Sequence, residues 1–258
     1  MNLSENEKTG GLNANGLHTW GMLFLTLGIV GKSLIQNRLL HMGTVTSAEL
    51  MEAMQSSGTV MMQATLALVF QALETCAVPI FAFLLLEGAA HTASLPRYIL
   101  RVGALAAVSE IPYNLAMSGV LLDGTGRNPV FGSLIGLVML WFYGRWSDNS
   151  FSHVVIRILV TLAAMAWCVI LSISQGPALL LILAVLWALR EKTALRNLLG
   201  AAAALVCCLG SLFYMAAPMG FLAIHFYNGE KGAENRAVNY LAYPALLLII
   251  WALGVLLF

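Results

Sequence analysis

Glu87, His91, Arg97, Arg101, Glu110 and Asn114 lie in or beside two strongly apolar runs, PIFAFLLLEGAAH and RYILRVGALAAVSEIPYNLA, joined by TASLP. An ionisable group within a lipid-length segment costs roughly 2.5–3.5 kcal/mol on insertion scales. Packing against lipid gives no reason to keep one, so this stretch is where function is expected. Glu87 and His91 are four residues apart, as are Arg97 and Arg101, and each pair shares a helix face. A histidine beside a carboxylate suits proton transfer, and clustered arginines suit phosphate oxygens. Further along, Tyr227-Asn228-Gly229-Glu230-Lys231-Gly232, with Arg236 just after, brings more cations to the same end of the molecule. Each group also has a structural reading. The two pairs can anchor a tight interfacial loop, Glu110 and Glu74 can be hydrogen-bonded helix contacts, and Asn228-Gly229 suits a turn.

The elements that must position these groups are membrane helices. The chain has 258 residues, 60% of them hydrophobic and 10% charged, with a mean hydropathy of +0.84; ordinary soluble domains are about a quarter charged. The net charge of +1, without a basic stripe, argues against nucleic acid. Cys76, Cys168, Cys207 and Cys208 show no Cys-x-x-Cys pair, and the histidines no zinc spacing, so no metal is expected. No signal peptide is read in the polar residues 1–16.

A helix of about 20 residues crosses a bilayer. On that ruler about nine spans are expected, near 17–37, 60–90, 97–118, 130–146, 153–173, 177–190, 195–214, 216–228 and 238–258, the second breaking at Pro79. Residues 46–56 suit a short interfacial helix capped by Thr46 or Ser47. The expected fold is an all-α polytopic bundle, with residues 1–16 as a polar tail and 17–258 as one transmembrane domain. Alternating spans put Lys8, Arg97, Arg101, Arg145, Arg157, Arg190, Lys192, Arg196, Lys231 and Arg236 on one side, against Lys32, Arg38 and Arg127 on the other. Excess basic residues mark the cytoplasmic face, which places the N-terminus there. Glu74 and Lys32 fall deeper and further out.

The blocks Pro79–Gly88, His91-Thr92, Arg97-Tyr98-Ile99-Leu100-Arg101, Ser109–Leu115, Asn128-Pro129-Val130-Phe131, Tyr227–Gly232 and Tyr243-Pro244 closely resemble the TraX family of membrane proteins. The resemblance runs from about residue 79 to the C-terminus. It implies a polytopic protein of the bacterial cytoplasmic membrane, acetyl-CoA as donor, and a small membrane protein as acceptor, as in N-acetylation of a conjugative pilin. Two features of the family pattern are missing. The Asp-His pair that members often carry in the first span is replaced by Gly28-Ile29-Val30-Gly31-Lys32-Ser33, and Tyr243-Pro244 leads into Ala245-Leu246-Leu247 without a histidine.

Acyl transfer needs a general base at the acceptor and donors for the oxyanion. The catalytic candidates are His91, Glu87, Glu110 and Asn114; the candidate contacts to the CoA phosphates are Arg97, Arg101, Asn228, Lys231 and Arg236. The favoured function is a membrane-bound acyltransferase whose acceptor is an amine or hydroxyl, on a small membrane protein or an envelope glycan or lipid. The alternatives are a small-solute or proton-coupled transporter with Glu74, Glu110 and Lys32 along its path, and a non-catalytic membrane subunit. A structural test of the acyltransferase reading is whether His91, Arg97, Arg101, Asn228 and Lys231 converge around one cytoplasm-facing pocket.

Overall fold

Helix starts follow the local caps. In the computed structural model, which describes residues 11–42, 44–232 and 236–258 and the side chains of these except residues 236–238, α1 spans Ala14–Val30. Asn13 caps it by accepting a hydrogen bond from the Gly16 amide at 2.8 Å. The helix continues as a π-helical stretch over Gly31–Leu39. There Ser33 Oγ donates to the Ala116 carbonyl and Asn37 Nδ2 to the Met117 carbonyl, each at 2.6 Å. The short helix α2, Ser47–Ser56, begins with a complete capping box between Thr46 and Glu49.

The expected break in the second span is present, three residues before Pro79. α3 covers Gly58–Thr75 and α4 covers Ala77–His91, with Cys76 between them. Pro79 then sits in the first turn of α4, where its missing amide costs nothing. The break is filled by the irregular segment that follows α9. Thr75 Oγ1 donates to the Phe213 carbonyl at 3.1 Å, and Cys76 Sγ to that of Ala216 at 3.1 Å. These contacts tie the break to carbonyls that also accept backbone amides within the 3-10 turns, those of Ala216 and Met219.

α5 (Leu95–Ser118) carries Pro96 in its first turn and ends at Gly119 in the left-handed conformation. α6 (Val130–Tyr143), α7 (Phe151–Ile170), α8 (Gly176–Ala188) and α9 (Thr193–Val206) follow. The last part holds 3-10 turns, the six-residue α10 (Gly220–His225) and the long α11 (Arg236–Leu257). The seventh and eighth expected spans are thus interrupted: Gly210, Pro218 and Gly220 stand in 207–220 and weaken a continuous helix.

Among the described residues there is no strand, only two isolated bridges. Four helical runs are long and apolar enough to cross a membrane: Ala14–Leu39, Gly58–His91, Phe151–Ile170 and Asn239–Leu257. Val130–Tyr143, Gly176–Ala188, Thr193–Leu209 and Leu212–His225 are apolar but shorter. The core centres on α4, packed between α1 and α8, with α5 lying between α6 and α11.

Candidate functional site

A cavity of about 510 Å³ runs along the whole of α4, from Ala77 to His91, a rise of about 21 Å. One end gathers groups from three distant segments: Glu87 and His91 from α4, Arg101 from α5, and Lys231 from the loop before α11. His91 is 76% exposed in its side chain and stands at the mouth, its Nδ1 3.6 Å from Glu87 Oε2. The same nitrogen lies 3.0 Å from the Glu87 carbonyl oxygen. Tyr227 donates its hydroxyl hydrogen to Glu87 Oε2 at 3.3 Å and packs edge-on against Phe83. Gly88 lets Tyr98 of α5 lie across α4, since a Cβ there would come 2.8 Å from the Tyr98 hydroxyl.

Lys231 is positioned by backbone stitching. Leu12 donates to the Phe226 carbonyl at 2.7 Å and Asn228 donates to that of Leu12 at 2.9 Å. The Ala14 amide then reaches the Glu230 carbonyl at 2.8 Å. Asn228 Oδ1 accepts from the Glu230 amide at 2.9 Å, closing a turn that carries Gly229 at φ +82°. Gly232, at φ +74°, packs directly on Asn13. The loop before α11 is therefore fastened to the start of α1.

Not every expected site residue reaches this chamber. Arg97 is exposed one turn before Arg101, whose Nε donates to the Arg97 carbonyl at 3.3 Å, and it does not line the wall. Asn228 serves the turn beside the mouth. The side chain of Arg236 lies outside the described residues. Glu110 is held elsewhere: Oε1 accepts from Arg127 Nη1 at 2.9 Å and Oε2 from Asn128 Nδ2 at 2.7 Å. Asn128, fully buried, also donates to the Ala106 carbonyl at 2.9 Å, and its Oδ1 accepts from the Val130 amide at 3.0 Å in the turn that leads into α6. Buried Asn114 donates to the Leu121 carbonyl at 3.2 Å. Glu110 and Asn114 thus brace the α5–α6 connection.

Several cavity residues were not among the expected site residues. His18 and Asn15 come from α1, Ser133 from α6, and Tyr240 and Tyr243 from α11. Arg196, only 8% exposed, does not line the cavity; its guanidinium carbon lies 4.9 Å from the centre of the Phe83 ring. An arginine near the start of the apolar helix TALRNLLGAAAALV was the available clue.

At the far end, Ser174 and Gln175 are shared with a second cavity of about 230 Å³. Its wall includes Lys32 and Glu74, paired at 3.0 Å, and Gln71. Gly28 makes room for Glu74, whose side chain fills the place a Cβ would take. Ser172 and Gln175 both adopt positive φ, at +51° and +62°. Non-glycine residues rarely hold that conformation, and it recurs at functional sites.

Fold and site together define an all-helical membrane protein with a long cavity, charged at one end, walled by helices from both halves of the chain. The sequence profile described as TraX protein matches residues 37–254. The chain belongs to the TraX family. Neither the comparison with curated proteins nor that with solved structures returned a match.

Proposed function

We propose that this protein is a membrane-bound acyltransferase that takes acetyl-CoA from the cytoplasm and acylates an amine or hydroxyl at the membrane. The observation that carries the reading is the gathering of Glu87, His91, Arg101 and Lys231 around one cavity. His91 is the base and Glu87 orients it and stabilises its charged form. The acceptor heteroatom attacks the thioester carbon as His91 takes its proton. The carbon–sulfur bond then breaks, and CoA leaves as the thiol after proton return. Arg101 and Lys231 meet the CoA phosphates, with Arg97 and Arg236 as outer contacts. Glu110 and Asn114 are positioning residues. The excess of Lys and Arg on the His91 side supports a cytoplasmic mouth and N-terminus.

Saturable binding of acetyl-CoA to the purified protein tests this. Lys231→Ala is expected to weaken it about tenfold, roughly 1.4 kcal/mol, whereas Arg97→Ala changes it less. Absence of binding at millimolar donor removes the proposal. The second cavity supports a second reading, transport of protons or a small solute past Lys32 and Glu74, which predicts liposome uptake that is lost in Glu74→Gln.

A further inference from the structure

Arg157 stands within an apolar helix, and the cavity along α4 does not use it. It lies six residues, about 9 Å, into α7 and is half-buried. A charge so placed is costly unless an anion or water meets it. Among the described residues no carboxylate comes within 4.0 Å of it. Its side chain makes only two long hydrogen bonds, both 3.4 Å, to the Ser147 carbonyl and to Asn149 Oδ1. Asp148, the acid in that loop, pairs with His153 instead.

A second arginine converges on the same ring. Arg157 holds its guanidinium carbon 4.8 Å from the centre of Trp187, and Arg190, just past the end of α8, holds its own at 4.2 Å. The two charges are therefore within about 9 Å of each other. Glu191, 86% exposed in its side chain, reaches Arg190 only at 4.0 Å, and an exposed pair of that kind contributes little. The cluster is braced from α6 and α7. Tyr143 packs edge-on against Trp187 at 4.9 Å, and the Arg157 carbonyl accepts from Thr161 Oγ1 at 2.8 Å and from the Tyr143 hydroxyl at 3.3 Å. Two residues beyond Tyr143, Arg145 lies 4.4 Å from the centre of the Trp141 ring. Like charges gathered on aromatic rings repel one another until an anion joins them.

Two features choose the anion. Indole rings such as Trp187 and Trp141 suit the headgroup level of a bilayer. Next to Arg157 along α7, Val154, Val155, Ile158, Leu159 and Leu162 are exposed and apolar, a surface fit for hydrocarbon. A ligand that answers both features carries a phosphate and acyl chains. We infer that the ends of α6, α7 and α8 form a binding site for an anionic phospholipid, with its phosphodiester between Arg157 and Arg190 at the edge of Trp187 and its chains along the apolar side of α7. Guanidinium groups meet phosphate oxygens through paired hydrogen bonds, and basic pockets between membrane helices hold such head groups. None of these side chains lines the cavity along α4, so the site does not depend on the acyl-transfer reading.

Native mass spectrometry of the full chain, titrated with dioleoyl phosphatidylglycerol or dioleoyl phosphatidylcholine, tests this. The anionic lipid is expected to bind about tenfold or more tighter than the zwitterionic one. Arg190→Gln, a change at an exposed side chain, is expected to weaken phosphatidylglycerol binding about fivefold, and Arg157→Gln combined with it about thirtyfold, with phosphatidylcholine binding unmoved. Arg97→Gln removes the same charge from an exposed position on α5 and is expected to leave the preference intact. With brominated acyl chains, phosphatidylglycerol is expected to quench Trp187 fluorescence, read as the difference from Trp187→Phe, more strongly than the choline lipid does. Equal affinity for the two lipids, or a double variant that binds phosphatidylglycerol as tightly as the unmodified protein, overturns the inference. Displacement of the lipid by millimolar inorganic phosphate overturns it as well, since the site then belongs to a free anion.

Discussion

Two glycines in one loop give a graded test of how Lys231 is held. Gly229 and Gly232 both sit at positive φ, +82° and +74°, so an alanine at either meets a similar backbone penalty, about 1 kcal/mol. Their surroundings differ. A Cβ at Gly229 meets nothing within 4 Å, whereas one at Gly232 would stand 2.6 Å from both Cγ and Nδ2 of Asn13. Asn13 can yield only by releasing the Gly16 amide that it caps at 2.8 Å, which costs about 1 kcal/mol more. Gly229→Ala should therefore loosen the loop by about 1 kcal/mol, and Gly232→Ala by about 2–3 kcal/mol. Hydrogen exchange on peptides covering residues 12–19 and 226–232 reads this directly. Exchange should rise about fivefold for Gly229→Ala and about 30- to 160-fold for Gly232→Ala. Only Gly232→Ala should also expose the first turn of α1. Equal effects from the two variants, or an undisturbed α1 start in Gly232→Ala, would refute the stitching of this loop to α1.

Further predictions concern the elements that frame the cavity. Asn128→Ala removes bonds to Glu110 and to the Ala106 carbonyl from a fully buried position. It should destabilise the detergent-solubilised protein by about 2–3 kcal/mol, seen as a lowered Tm. Lys32→Met leaves the Glu74 carboxylate without its 3.0 Å partner, and Glu74 is 5% exposed in its side chain. The variant should lose about 2–4 kcal/mol, with much of it restored when Glu74→Gln is added. Hydrogen bonds from the Thr46 backbone and side chain hold the Glu49 carboxyl below its usual value. A lowered folded pKa means that this capping contribution is present above about pH 4 and fades as pH falls further. Hydrogen exchange over residues 47–56 should accelerate on acidification, and Glu49→Gln should flatten that dependence.

Much of this arrangement was legible because it depends on spacing along one helix. The Glu87–His91 face follows from a four-residue step, the α2 start from Thr46 and Glu49, and the turn before Lys231 from Asn228-Gly229. The break in the second span was foreseen from Pro79 but falls at Cys76, because proline is accommodated within a first turn. What could not be read is convergence between helices. Nothing in the chain ties His18 to Tyr243, or Lys32 to Glu74, until α1, α3 and α11 pack together. Glu110 looked chemical because it is a carboxylate in an apolar run. Its partners Arg127 and Asn128 lie in the following loop, and only folding brings them back to it.

The family match begins at residue 37, yet one side of the chamber is built by Ala14, Asn15, His18, Met22 and Leu25. Selectivity among relatives can consequently drift through that first helix while the shared signature stays intact. Swapping residues 11–36 between two members is then a route to exchanging what each admits, with the remaining framework left untouched.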